Sequence, residues 1–207
     1  LRVIILGKAK GCDDAPFHFE DKEVQTWGLN NHILTRPLDI VFEPHDVEWW
    51  MEHADEVNEW HKPERGYAKH IEKVNEMEIP YITLKHYPFI PTSQKFPVEE
   101  IYNEFGLDYY TGGIDYMIAY AILKRVERID IYGVHTTYDD EYAYQKPSLE
   151  AWCFFAMGKG IDVRVHGSHS LFKTRYQGKI FTNDRKEADG LRYGYFVEPF
   201  KMKIIAD

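Results

Sequence analysis

Short apolar runs, each closed by a glycine or a polar segment and separated by stretches of helical periodicity, recur along this chain. Arg2 to Leu6 ends at Gly7, and Val24 to Trp27 and Leu38 to Phe42 are followed by polar segments. Runs this short and this largely apolar, each followed by a polar or glycine segment, predict buried parallel strands. Later the order becomes a glycine-bearing loop at Thr111-Gly112-Gly113, an apolar helix through Met117, Ile118, Ala121 and Ile122, a strand at Ile129 to Tyr132, and a turn at Gly133. A helix over Ser148 to Met157 and a strand over Ile161 to Val165 follow. Repeated helix-strand alternation predicts an α/β fold, a Rossmann-like and mostly parallel sheet with right-handed crossovers and helices on both faces.

Two more helices are expected on the way. From Asp46 to Trp60, Val47, Trp50, Met51, Ala54 and Val57 recur at three-to-four spacing, with Asp46 suited to cap the first turn; a more charged helix runs from Glu64 to Met77. Pro80 precedes a strand at Tyr81 to Leu84, and His86 to Pro97, with three prolines, reads as a long functional loop or lid. No repeat or low-complexity linker divides the 207 residues, so one nucleotide-binding domain is expected, with 176–207 as an edge hairpin or an oligomer arm.

Composition narrows the classes. A formal net charge of −9 opposes broad affinity for duplex DNA, which needs Lys and Arg to neutralise phosphates. No apolar run approaches a membrane span, and the opening residues lack a signal-peptide pattern, so a cytoplasmic protein is expected. Cys12 and Cys153, without paired spacing, are expected to be free thiols.

In such sheets ligands bind at the carboxyl ends of the strands. Located there are Gly7, Lys8, Ala9 and Lys10 in a turn resembling a phosphate cradle, Asn30, the Glu43-Pro44-His45-Asp46 segment, Gly133 with the polar aromatic run behind it, and His166 to Ser170. Lys8 and Lys10 are either diphosphate ligands, assisted by amides of the turn and the next helix, or solvated lysines. Asn30 can read a base or ribose, or merely cap a turn. His45, Asp46, His135 and His166 are the candidate acid–base groups, His45 foremost and Asp46 alternatively a cap. Asp139-Asp140-Glu141 has the chemistry to hold Mg²⁺.

Ile5-Leu6-Gly7, Thr26-Trp27-Gly28-Leu29-Asn30, Thr111 to Ala119 and Ile129 to Val134, taken together, resemble the bacterial sialyltransferase-like glycosyltransferases. The related group of motility-associated glycosyltransferases and a pterin pyrophosphokinase is similar too. Trp27 to Asn30, Phe42 to His45 and Glu141 to Pro147 are also similar to segments of small bacteriophage proteins. The resemblance implies a nucleotide-sugar co-substrate, no tightly bound cofactor, no required metal because side chains take the place of a cation at the leaving phosphate, and a hydroxyl acceptor such as a modified DNA base. It places Gly7, Lys8, Ala9, Asn30, Thr111 and Gly113 at the nucleotide, with Gly112 where the family has Ser, and Tyr142, Tyr144, Gln145 and Lys146 as a clamp on sugar or phosphate. Two competing readings are a Mg²⁺-dependent pyrophosphokinase or nucleotidyltransferase, and a non-catalytic module that sequesters a nucleotide.

Overall fold

The structure is a computed structural model that describes residues 1–16, 21–57, 67–136, 141–167, 171–172, 174–176 and 179–181. Among these, seven parallel strands form one sheet: β1 (Arg2–Leu6), β2 (Val24–Leu29), β3 (Ile40–Glu43), β4 (Tyr81–Thr83), β5 (Ser93–Lys95), β6 (Arg128–Tyr132) and β7 (Asp162–Val165), in the order β5-β4-β3-β2-β1-β6-β7. The helices are α1 (Val47–Val57), α2 (Tyr67–Met77), α3 (Val98–Phe105), α4 (Gly113–Leu123) and α5 (Glu141–Gly158). The chain moves from β1 outward to β5, then returns through α3 and α4 to lay β6 against the other side of β1. Strand order therefore reverses between β1 and β6.

Alternation along each strand divides the core. Val3, Ile5, Trp27, Phe42, Ile129 and Ile131 face α4 and α5, packing on Met117, Ile118 and Trp152. Ile4, Leu6, Val41 and Tyr81 point the other way, onto Ile33, Val47, Ile71 and Val74. Burial on both faces leaves β1 and β3 almost wholly apolar, whereas edge strand β7 alternates exposed and half-exposed Asp162 and Arg164 with buried Val163 and Val165. Among the described residues no helix is long and apolar enough to cross a membrane, and Cys12 and Cys153 are both unbridged.

Four expectations change. Residues 86–97 are no lid: Tyr87, Ile90, Ser93 and Phe96 are buried, Tyr87 donates its amide to Ser93 Oγ at 2.8 Å, and β5 pairs with β4. The sequence hides this edge strand because three residues with one buried side chain carry no periodicity, and the prolines imitate a loop. The turn after β1 enters a 3₁₀ turn at Cys12–Asp14 instead of an α-helix, so it brings no helix dipole to an anion. Helix α5 begins at Glu141, so Tyr144, Gln145 and Lys146 are helical residues ahead of Pro147, not loop residues. Finally, Met51 is 44% exposed, off the buried face of α1. β8 (Thr174–Tyr176) pairs antiparallel with β9 (Lys179–Phe181) in a sheet of its own, while residues 182–207 of the segment expected to form an edge hairpin or arm lie outside the described residues.

Candidate functional site

At the reversal point the backbones of the β1 and β6 ends interlock. Gly7 donates its amide to the Tyr132 carbonyl at 2.8 Å, and Ala9 donates to the Gly133 carbonyl at 2.9 Å. Gly133 has φ +64°, and a Cβ there would lie 2.6 Å from Cys12 Cβ and 2.8 Å from the Ala9 oxygen. The amide of Cys12 is likewise spent on Ala9, at 3.2 Å. These two glycines thus serve the close approach of two strand ends. Lys8 and Lys10 are exposed. Crowding around Lys8 still lowers its pKa by desolvation, opposed by the charge of Glu43.

Beside this knot, α4 starts against the end of β2. A Cβ on Gly113 would meet Leu29 Cδ2 at 2.6 Å. Asp115, 1% exposed, accepts the amides of Thr111 (2.9 Å) and Gly112 (3.1 Å) and the Ser148 hydroxyl (2.7 Å). Burial pushes its pKa up to about 6 in spite of these bonds. Thr111 also bonds Ser148, and its hydroxyl donates to the Tyr144 carbonyl at 3.3 Å. The Gln145 side chain fills the space where a Cβ of Gly112 would go, while Tyr144 is 78% exposed and Lys146 pairs with Glu150 at 3.6 Å. The structure therefore gathers Asn30, Thr111, Gly112, Gly113, Tyr144 and Gln145 at one end of the sheet. Asn30 has φ +35°, and its Oδ1 is buried with no hydrogen-bond partner among the described residues.

The third group lies at the end of β3. Glu43 is fully buried and accepts a 2.5 Å hydrogen bond from His45 Nδ1 and a 3.1 Å bond from the His45 amide. His70, also buried, stands 3.7 Å away on the other carboxylate oxygen and shares a 2.7 Å hydrogen bond with the Tyr81 hydroxyl. Burial alone would raise the Glu43 pKa. The hydrogen bond and charge of His45 and the charge of His70 outweigh it and hold the carboxyl below its ordinary value. The His45 side chain is half exposed and meets Trp50 edge-on at 5.4 Å. A small cleft lined by Glu43, Pro44, Thr83, Leu84, Phe96 and Tyr116 joins this end of β3 to the first turn of α4.

The other acid–base candidates separate from it. Asp46 caps α1, its Oδ1 accepting the amides of Glu48 and Trp49 at 3.0 and 3.3 Å. His166 donates from Nε2 to buried Asp130 at 2.6 Å and stacks on Tyr132 at 4.2 Å. Arg2 and Arg128 bind the same carboxylate. β7 stands four strand spacings from β3, about 19 Å, so His166 and His45 cannot serve one reacting atom. His135 follows β6, about 14 Å from β3 by the same count, and its Nε2 is buried without a partner among the described residues.

Sequence reasoning missed the roles of Glu43, His70, Asp115 and Ser148. Glu43 left a signal, a carboxylate closing an apolar strand two residues before a histidine; His70, in a charged helix, left none. Asp139 and Asp140 and the side chains of Glu141 and Tyr142 lie outside the described residues. Among the described residues no group of three or more His, Cys, Asp or Glu is arranged to hold a metal. A cavity of about 500 Å³ opens at the opposite, amino-terminal edge of β2, between Val24, Gln25, Leu38 and Asp39, away from all three groups. Compared with known proteins, the chain matches no family model, no curated protein and no solved structure.

Proposed function

We propose that the protein transfers a glycosyl group from a nucleotide sugar to a hydroxyl acceptor, with His45 as general base. The observation that carries this reading is the bond from His45 Nδ1 to buried Glu43 at 2.5 Å. A carboxylate holding the Nδ1 proton fixes the neutral tautomer and leaves the lone pair on Nε2. His45 then accepts the acceptor's proton, the oxygen attacks the anomeric carbon, and the bond to the nucleotide phosphate breaks with its electron pair leaving on the phosphate. Asn30, whose buried oxygen has no hydrogen-bond partner among the described residues and whose neighbour Leu29 packs on Gly113 at the start of α4, suits the nucleotide.

The test is nucleotide release from a panel of nucleotide sugars, with hydroxyl acceptors, in Mg²⁺ or chelator. His45→Ala is expected to lower turnover by about 10²- to 10⁴-fold with donor affinity retained, and Glu43→Gln by about 10²-fold or more. Full activity in His45→Ala overturns the assignment. Turnover that vanishes in chelator and needs a nucleoside triphosphate moves it to a pyrophosphokinase or nucleotidyltransferase.

A further inference from the structure

Two hydroxyls and a carboxylate form a chain of hydrogen bonds from the surface into the space between α4 and α5, and the transferase reading uses none of it. Thr111 is exposed, and its Oγ1 bonds Ser148 Oγ; Ser148 is 0% exposed and donates to Asp115 Oδ2 at 2.7 Å. The Gln145 carbonyl, 3.0 Å from Ser148 Oγ, is the weaker acceptor because it is farther away and uncharged. With its own proton on Asp115, Ser148 receives that of Thr111. The alternative acceptor for Thr111, the Tyr144 carbonyl at 3.3 Å, lies on the protein side as well. Thr111 therefore keeps its proton inward and turns lone pairs outward.

Capping α4 does not require this chain. Asp115 already accepts the amides of Thr111 and Gly112, and the Thr111 hydroxyl adds nothing to those two bonds. Its Oδ1 is buried without a hydrogen-bond partner among the described residues, and burial pushes its pKa up to about 6, so it takes a proton more readily than a surface carboxylate does. The titratable groups that feel its charge, among the described residues, are Tyr110 ahead of the loop, Tyr116 on α4 and Cys153 on α5. Burial raises all three, so they stay neutral. A hydroxyl joined to a base through a second hydroxyl is an arrangement that activates an alcohol as a nucleophile. Lone pairs turned outward repel a phosphate oxygen and meet an electron-poor, neutral carbonyl carbon. The amides of Gly113 and Ile114, which Asp115 does not take, come next in the first turn of α4 and suit the oxyanion that such an attack develops.

We propose that Thr111 is a nucleophile that takes an acyl group from a neutral ester, with Ser148 and Asp115 as positioning residues that receive its proton. This centre is separate from the His45 dyad and does not rest on the transferase reading. The Thr111 oxygen forms a bond to the ester carbonyl carbon, and the bond from that carbon to the alcohol oxygen breaks with its electron pair leaving on that oxygen. The Thr111 proton passes to Ser148 as the Ser148 proton passes to Asp115, and it returns by the same path to the departing alcohol. Water then releases the acyl group as a carboxylic acid and restores the hydroxyl.

The experiment incubates the full chain with p-nitrophenyl acetate, quenches with acid, and locates acetyl groups by peptide mass mapping with and without hydroxylamine, which removes them from threonine oxygen and not from lysine nitrogen. A hydroxylamine-sensitive acetyl on Thr111 is expected, formed faster than in the urea-unfolded chain. Its rate should rise as pH increases through about 6, where Asp115 ionises. Thr111→Val should remove the burst of nitrophenolate and Thr111→Ser should restore it. Ser148→Ala should slow it by about 10²-fold. Asp115→Asn, which keeps a carbonyl oxygen for the two amides, should slow it similarly and flatten the pH profile, which a merely structural role would leave in place. Trp152, whose indole N–H donates to the Tyr109 carbonyl at 2.8 Å, reports by fluorescence that the loop is kept. Where a variant fails that check, the parent's pH profile and the comparison with the unfolded chain decide. The proposal is overturned if no such acetyl forms on Thr111, if folded and unfolded chains react alike, if Ser148→Ala reacts as fast as the parent, or if the parent's rate is flat through that pH.

Discussion

A carboxylate with no water around it must be matched by donors or opposite charge, and at Glu43 the ring and amide of His45 donate to Oε1 while His70, on another element, stands 3.7 Å from Oε2. His45 follows the strand that ends in Glu43, so its candidacy was legible from position: a polar cluster at the close of an apolar run. The part played by Glu43 was not, because a terminal Glu reads as solvent-facing until α2 and β4 are seen to bury it. Glycines show the same division. Gly133 was legible as a strand terminator, but the need for glycine there comes from a contact with Cys12 and Ala9, more than 120 residues earlier in the chain. Gly133→Ala places a Cβ in the left-handed region and against backbone, and is expected to cost about 3 kcal/mol or more. Urea denaturation checks it: the midpoint should fall with the slope unchanged, and an unshifted midpoint would disprove the interlock.

At the scale of elements, the start of α4 is defined by Asp115. The amides of Thr111 and Gly112 donate to its carboxylate, and Ser148 ties it to α5, so the loop of the sequence motif is held by a residue inside the helix. Asp115→Ala should destabilise the protein by about 2 kcal/mol through lost capping and orphaned donors. Hydrogen exchange at Thr111 and Gly112 should accelerate first; unchanged protection there would show that the cap contributes nothing. The sequence disclosed α4 through its apolar run and β6 through its β-branched one. It concealed β5, whose pairing with β4 substitutes for intrinsic preference, and α3, whose eight residues bury Ile101 deeply but carry too short a pattern to stand out.

Across the whole molecule two buried titrating groups act in opposite directions. Burial, with Lys8 and Arg36 adding to it, lowers the His32 pKa from 6.5 to about 4, so between those values the unfolded chain takes a proton that the folded one refuses. Acidification through that window therefore costs up to about 3 kcal/mol. Asp115 runs the other way: raised from 3.8 to about 6, it takes its proton in the folded state first, and acidification returns a similar amount. The parent should accordingly lose little stability between pH 7 and 4.5, while His32→Gln should gain on acidification and Asp115→Ala should lose. Parallel pH profiles for all three would refute the assignment. Glu43 and Asp130, both held below their ordinary values, add their loss only at lower pH. By itself the sequence determined the α/β class, six of the seven strands of the main sheet and the end of the sheet where polar residues gather, because burial on both faces writes itself as apolar runs and each crossover returns the chain to the same edge. Only the tertiary structure decided the strand order, the interlock of Gly7 with Gly133, the distance that parts His166 from His45, and the burial of Glu43. Each of these depends on which distant segments become neighbours, and local preference does not encode that.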